Sequence, residues 1–165
     1  MLSNFDIEEI CADYGVPLVG VYMKNELPTE VRDGNYIINL QSSSEGNGTH
    51  WTALVIDKQN AFFMDSFGAY PSQDIVRFVK KRKGLHLGYN NFIIQNIDSN
   101  FCGYFCIALF IYLRLNPGKL FHNANMFVSG FNDNSKSNDA VLKSFFLQNT
   151  RGKLPRLIQR LMRLK

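Results

Sequence analysis

Residues 95–115, QNIDSNFCGYFCIALFIYLRL, join a polar loop rich in Asn, Asp and Ser to an unbroken apolar run. The run is long enough for about three turns of helix. It is apolar on every side, so the rest of the chain has to cover it on every side. Pro117 and Gly118 stop it. In the loop before it, Ser99 or Asn100 can cap the first free amides. Cys102 therefore falls at a helix N-terminus, where unpaired amides and the helix dipole favour an anion and hence a thiolate. Two readings of Cys102 stand at this point: a small core residue, as most free cysteines are, or a nucleophile.

At 165 residues the chain amounts to one domain, large enough for a core without metal or disulfide staples. An apolar content of 45% places it among globular rather than disordered chains. No apolar run is long enough to span a bilayer. The start, MLSNFDIEEICADYG, has early acids and no basic region, so it does not read as a signal peptide. The three cysteines are an odd count, against a secreted disulfide framework, and Cys102 and Cys106 lie one turn apart on one helix, a poor geometry for a bridge. A reducing intracellular compartment is the expectation. The net charge of +4 is local: residues 151–165 carry six basic groups and no acid, while the other 150 residues hold 12 basic and 14 acidic groups. Five of those 12 lie between Arg77 and Lys83, so the basicity is two patches rather than a property of the whole surface.

In chain order, residues 3–14 read as a helix opened by Ser3 and Asp6 in a capping box and closed by Gly15, with Phe5, Ile10 and Tyr14 on its buried face. Leu18–Tyr22 is a short strand and residues 25–34 are loop. Tyr36–Leu40 is a strand, and QSSSEGNG to Gly48 is an exposed loop that re-enters as Thr49-His50-Trp51. Residues 52–56 and 61–67 form a hairpin about the turn Asp57–Asn60. Pro71-Ser72 opens a helix through Lys83, with Ser72 as its cap, and Phe92–Gln95 is a further strand. Beyond Pro117 the pattern weakens to a short apolar segment, Met126–Phe131, and a helix at 139–148. The domain proper is read as residues 1–150, and 151–165 as a basic amphipathic tail.

This order brings four chemical groups forward. His50 is at a strand start and Asp65 is near the end of the adjoining strand, which puts the two at the same open end of one hairpin. Gln95 is at a strand end and Cys102 at a helix start. These are the parts of a cysteine nucleophile: a base that takes the thiol proton and returns it to the leaving amine, a carboxylate that orients the base, and an amide that stabilises the oxyanion. The spacing of His50, Asp65, Cys102 and Cys106 matches no standard zinc pattern. Cys11 and Cys106 read as core, and His86 and His122 as ordinary surface or hydrogen-bonded residues.

G-T-H-W, then D-S-F-G, then a Gln seven residues before C-G-Y-F-C resembles the adenovirus protease (adenain) family and its relatives that cut SUMO-like modifiers. LVGVYMKNELP and HNANMFVSGFNDN extend the resemblance over most of residues 5–150, and with the compact, virus-like length it implies a protease from an adenovirus-related element such as a virophage or Maverick-type transposon. The resemblance implies an α+β fold: a small mixed sheet of about five strands flanked by helices, with the nucleophile at the N-terminus of a buried central helix. It implies His50 as base, Asp65 as orienting acid, Cys102 as nucleophile, and Gln95 with the Cys102 amide as oxyanion donors. Adenain itself usually has Glu where Asp65 stands. Trp51 and Gly48 would border the substrate, in a slot narrow enough to favour Gly-Gly before the cut; for Trp51, core packing is a compatible reading.

The function so implied is endopeptidase cleavage of viral capsid precursors during virion maturation, in the virion and the infected cell, by a monomer without a required cofactor or metal. DNA and a short basic viral peptide activate adenain and are the activators the resemblance offers. Lys80, Lys81, Arg82 and Lys83, with Arg156, Arg160 and Arg163, would serve a polyanion; a solvated face and a helix cap is the equal alternative. The tail could equally dock a capsid partner, bind a membrane surface or pack back on the body. Three other functions remain open: a deconjugase of ubiquitin-like modifiers, an acetyltransferase, and a non-enzymatic nucleic-acid or capsid-binding protein.

Overall fold

The computed structural model describes residues 1–46 and 48–165; Asn47, in the loop read from Gln41 to Gly48, lies outside them. One mixed sheet runs through the molecule in the order β1 (Gly20–Met23), β2 (Gly34–Asn39), β3 (Trp51–Asp57), β4 (Asn60–Met64), β5 (His86–Tyr89). The two inner pairings are antiparallel and the two outer ones parallel. Six α-helices flank it: α1 (Asn4–Asp13), α2 (Gln73–Lys80), α3 (Cys102–Leu115), α4 (Leu120–Ser129), α5 (Asn138–Gln148) and α6 (Arg156–Arg163). The architecture is α+β, with five strands between helices. Among the described residues no helix is long and apolar enough to cross a membrane.

The alternation of side chains along the strands decides what covers each face. Ile37, Ala53, Val55, Phe62 and Met64 point to one side and share a core with α1, α3, α4, α5 and α6. Tyr36, Ile38, Leu54, Ile56, Ala61 and Phe63 point to the other, against Ile75, Phe78 and Val79 of α2. Helix α3 is buried at every residue from Cys102 to Ile111, as a helix apolar on all sides must be. The tail closes this layer. Leu157, Ile158 and Leu161 of α6 are at most 1% exposed within the same core, and Arg156 pairs with Glu9 of α1 at 3.0 Å.

Several local expectations are corrected. Residues 92–95 form no strand: Phe92 and Ile93 are exposed, and the backbone meets the chain just past β4 where the Ile94 and Gln95 amides donate to the Ser66 carbonyl. The fifth strand is β5, whose residues His86–Tyr89 pair with Asn60–Phe63. Helix α2 stops at Lys80, and Ser72, although at its N-cap, makes no side-chain cap bond. The N-cap of α3 is Phe101 rather than Ser99 or Asn100, and no side chain caps it. Ser3 and Asp6 do form the capping box of α1, but Phe5 is 74% exposed; Ile7, Ile10 and Cys11 make the buried face.

Candidate active site

The hairpin of β3 and β4 places His50 and Asp65. Ala53 opposes Met64, so the register continued outward sets Asp65 opposite Thr52 and diagonal to His50. The two side chains meet: His50 Nε2 lies 2.6 Å from Asp65 Oδ1. Asp65 is 1% exposed, and the same oxygen accepts the Phe67 amide at 2.8 Å. The Phe67 ring stacks on the imidazole with centroids 4.7 Å apart. Gly68, at φ +73°, makes the turn that follows; a side chain there would strike the Phe92 backbone. His50 is thus held edge-on by a carboxylate and face-on by an aromatic ring.

Cys102 arrives from α3. Its sulfur accepts the Trp51 amide at 3.5 Å. The same sulfur is near enough to the His50 side chain to act on its pKa. Because Asp65 takes Nε2, the ring nitrogen left for Cys102 is Nδ1. Burial alone would pull the His50 pKa down. The hydrogen bonds to Asp65 and Cys102 and the negative charge of both outweigh burial and raise it to about 9. The arrangement favours an imidazolium beside the sulfur at neutral pH.

One turn further along α3, Cys106 donates its thiol to the Trp51 carbonyl at 3.6 Å. Burial pushes the Cys106 thiol well above its usual range, and Cys102 and Asp65 add to the effect, so it stays a neutral donor. Burial likewise pushes Cys11 up to about 12, with Glu8 adding. All three cysteines are free and buried.

Gln95 is anchored at both ends. Ser66 Oγ donates to its Oε1 at 2.5 Å, which fixes the flip of the amide, and its Nε2 donates to the Ser99 carbonyl at 2.8 Å and lies 3.2 Å from Ser99 Oγ. Both amide hydrogens thus already face acceptors in the loop before Cys102. The backbone N–H of Cys102 opens α3, where helix geometry leaves the first amides without intrahelical partners.

Trp51 is 4% exposed, and its indole donates to the Leu2 carbonyl at 2.8 Å. It also lines a cleft of about 480 Å³, bounded by Asn4, Phe5, Val21, Met23 and Gly46. It is core and wall at once. Gly48 sits at φ +103°, its amide donating to Gln41, where a side chain would overlap Asn39. Asn39 Oδ1 receives the amides of Gln41 and Thr49, tying down both ends of the loop that leads into His50.

The basic residues are not gathered at this site. Arg82 pairs with Asp33 at 2.7 Å and donates to the Lys58 carbonyl; Arg156 pairs with Glu9; Lys81 lies over the Phe78 ring. Lys80, Lys83, Arg160 and Arg163 are exposed.

Asn90 is a residue the sequence reading passed over. It is 3% exposed, and its side chain grips the Asp65 backbone from both sides, accepting from the Asp65 amide at 3.1 Å and donating to the Asp65 carbonyl at 2.7 Å. It acts as one more rung of the β4–β5 ladder after β5 has ended. Its only sequence signal is position: an amide side chain just past a strand can imitate a peptide group.

No protein-family model matches this sequence. No curated protein matches it either. Among solved structures, the chain is similar to the crystal structure of an ASFV protease, with a TM-score of 0.49 and 15% identity over 75% of this chain; it spans only 61% of that protease. It is also similar to the central domain of an uncharacterized protein from Legionella pneumophila, with a TM-score of 0.46 and 12% identity over 98% of both chains. Function is therefore read from the site itself.

Proposed function

We propose that the chain is a cysteine peptidase with Cys102 as nucleophile, His50 as base and acid, and Asp65 as orienting group. One observation carries the reading: an imidazole clamped at 2.6 Å by a buried carboxylate presents its other edge to a sulfur at the start of a buried helix. In the first step the Cys102 thiolate attacks the scissile carbonyl, and the C–N bond breaks as His50 hands its proton to the departing amine. In the second, His50 takes a proton from water, and the hydroxide so formed releases the acyl group from sulfur. The oxyanion would be met by the Cys102 N–H, and by the Gln95 amide once one of its hydrogens leaves Ser99.

The finer reading is an endopeptidase acting on a viral structural precursor after a small-residue motif such as Gly-Gly, in the infected cell and the assembling particle. It is supported by the order of the sequence motifs and by the cleft lined by Trp51, the residue after His50. The test is incubation with a capsid precursor and with ubiquitin-like conjugates in parallel, products read by mass spectrometry, and Cys102→Ala as control. New termini that depend on Cys102 are expected, and which substrate yields them separates precursor processing from deconjugation. Intact substrates, together with a Cys102 no more reactive toward iodoacetamide than free cysteine, would overturn the reading.

A further inference from the structure

The end of β4 leaves Trp51 with a problem of hydrogen bonding. In an antiparallel ladder the residues of a strand turn their N–H and C=O alternately to one neighbour and the other. Leu40 donates to the His50 carbonyl across β2–β3, so Trp51, the next residue, turns both its groups toward β4. By register its partner there would be residue 66, but β4 ends at Met64, and the Ser66 carbonyl is taken by the Ile94 and Gln95 amides. Helix α3 supplies the missing partners. Cys102 Sγ accepts the Trp51 N–H at 3.5 Å, and Cys106 Sγ donates to the Trp51 C=O at 3.6 Å. Residues four apart on a helix are separated by about 6 Å along its axis and lie on one face, the spacing needed to bracket a single strand residue.

We propose that Cys106 is a positioning residue, whose S–H bond to the Trp51 carbonyl holds Trp51 in the orientation that aims its N–H at the Cys102 sulfur and so stabilises the thiolate. An N–H that donates to a charged acceptor favours the charged form, and its benefit falls off as the bond lengthens or bends. Without the Cys106 donor, the buried Trp51 carbonyl has to find another partner, and the strand end is free to rotate away from the sulfur. The ionisable groups that face the two sulfurs are His50 from the loop before β3, Asp65 from the end of β4, and Cys11 from α1. Cys11 is buried and held neutral, so His50 and Asp65 are the charged neighbours, and neither is altered by a change at position 106. The inference rests on the peptidase reading only in taking Cys102 as the reactive sulfur.

The test is the rate of iodoacetamide alkylation at Cys102, measured by peptide mass spectrometry across pH 5 to 9 in the full chain, for wild type, Cys106→Ser and Cys106→Val. Cys106→Val fills the space without a donor, and Cys106→Ser keeps a donor. The expected result is an alkylation profile for Cys106→Val displaced toward higher pH, its rate about fivefold lower on the rising limb and level with wild type on the high-pH plateau, with Cys106→Ser close to wild type throughout. Should Cys106→Val not fold, Cys106→Ala takes its place, and the Ser–Ala difference is read in the same way. Equal profiles for the donor and non-donor variants, or a uniform drop at every pH, would overturn the proposal. The readout needs no substrate. A wild-type chain that alkylates readily at pH 6 but cleaves nothing would count against the peptidase reading and leave this result standing.

Discussion

The clamp on His50 makes a definite demand on stability. Its pKa in the folded chain is about 9, against about 6.5 for an unperturbed histidine. A folded value above the unfolded one means that the folded state holds the proton more tightly. The stabilisation is therefore complete below about pH 6.5 and is lost as pH rises through about 9. Worked through the linkage relation, His50 contributes about 3 kcal/mol at pH 6.5 and about 1 kcal/mol at pH 8.5, a loss of about 2 kcal/mol. Above that window Cys11 and Tyr104, each raised to about 12, add their own loss, because the unfolded chain ionises there and the folded one does not. Asp65→Asn keeps an acceptor for the Phe67 amide and for His50 but removes the carboxylate charge, leaving Cys102 alone to raise the His50 pKa against burial. The assay is urea unfolding of both proteins at several pH values. Wild type should lose about 1 M in midpoint across the window, and Asp65→Asn should lose clearly less. A flat wild-type profile, or the same slope in Asp65→Asn, would refute the account of the clamp.

Asn90→Ala strips both partners from the buried Asp65 peptide groups, at a cost of about 3 kcal/mol and a fall in Tm of about 10 °C by calorimetry. Peptidase turnover should fall with it, because the carboxylate no longer holds its place under His50. Deleting residues 151–165 removes the fully buried Leu157, Ile158 and Leu161, about 2 kcal/mol each, or roughly the whole stability of a small domain. Circular dichroism should show that shortened chain largely unfolded; unchanged melting would mean that α6 is a detachable arm.

The sequence exposed the parts of the site that repeat a simple period. The strands β2, β3 and β4 are short apolar runs bounded by turn residues, and a two-residue turn fixes the register of β3 against β4, so the meeting of His50 with Asp65 followed from counting. Helix α3 announced itself by an apolar run with a hard stop. What stayed hidden depends on contacts distant in sequence. HLGY is an edge strand because β4 lies beside it, and its own residues, half exposed and interrupted by Gly88, carry no β signal. FII at 92–94 carries that signal, but the sheet offers it only the Ser66 carbonyl. Phe5 looked like core by type, yet the turn of α1 faces it outward. Asn90, Asn39 and Cys106 act through backbone groups of other elements, and no spacing in the chain marks a side chain that substitutes for a strand.

His50 and Asp65 are 15 residues apart on one hairpin, while Trp51 and the sulfur that rests against it are 51 apart on different layers. The hairpin can form early, from local contacts; the sulfur joins only when α3 is enclosed by the sheet and by α1, α4, α5 and α6. A half-folded chain would then carry a primed histidine with nothing to activate. On the peptidase reading, such a chain would not cut itself or its neighbours during synthesis, and the appearance of cleavage activity would time the completion of folding.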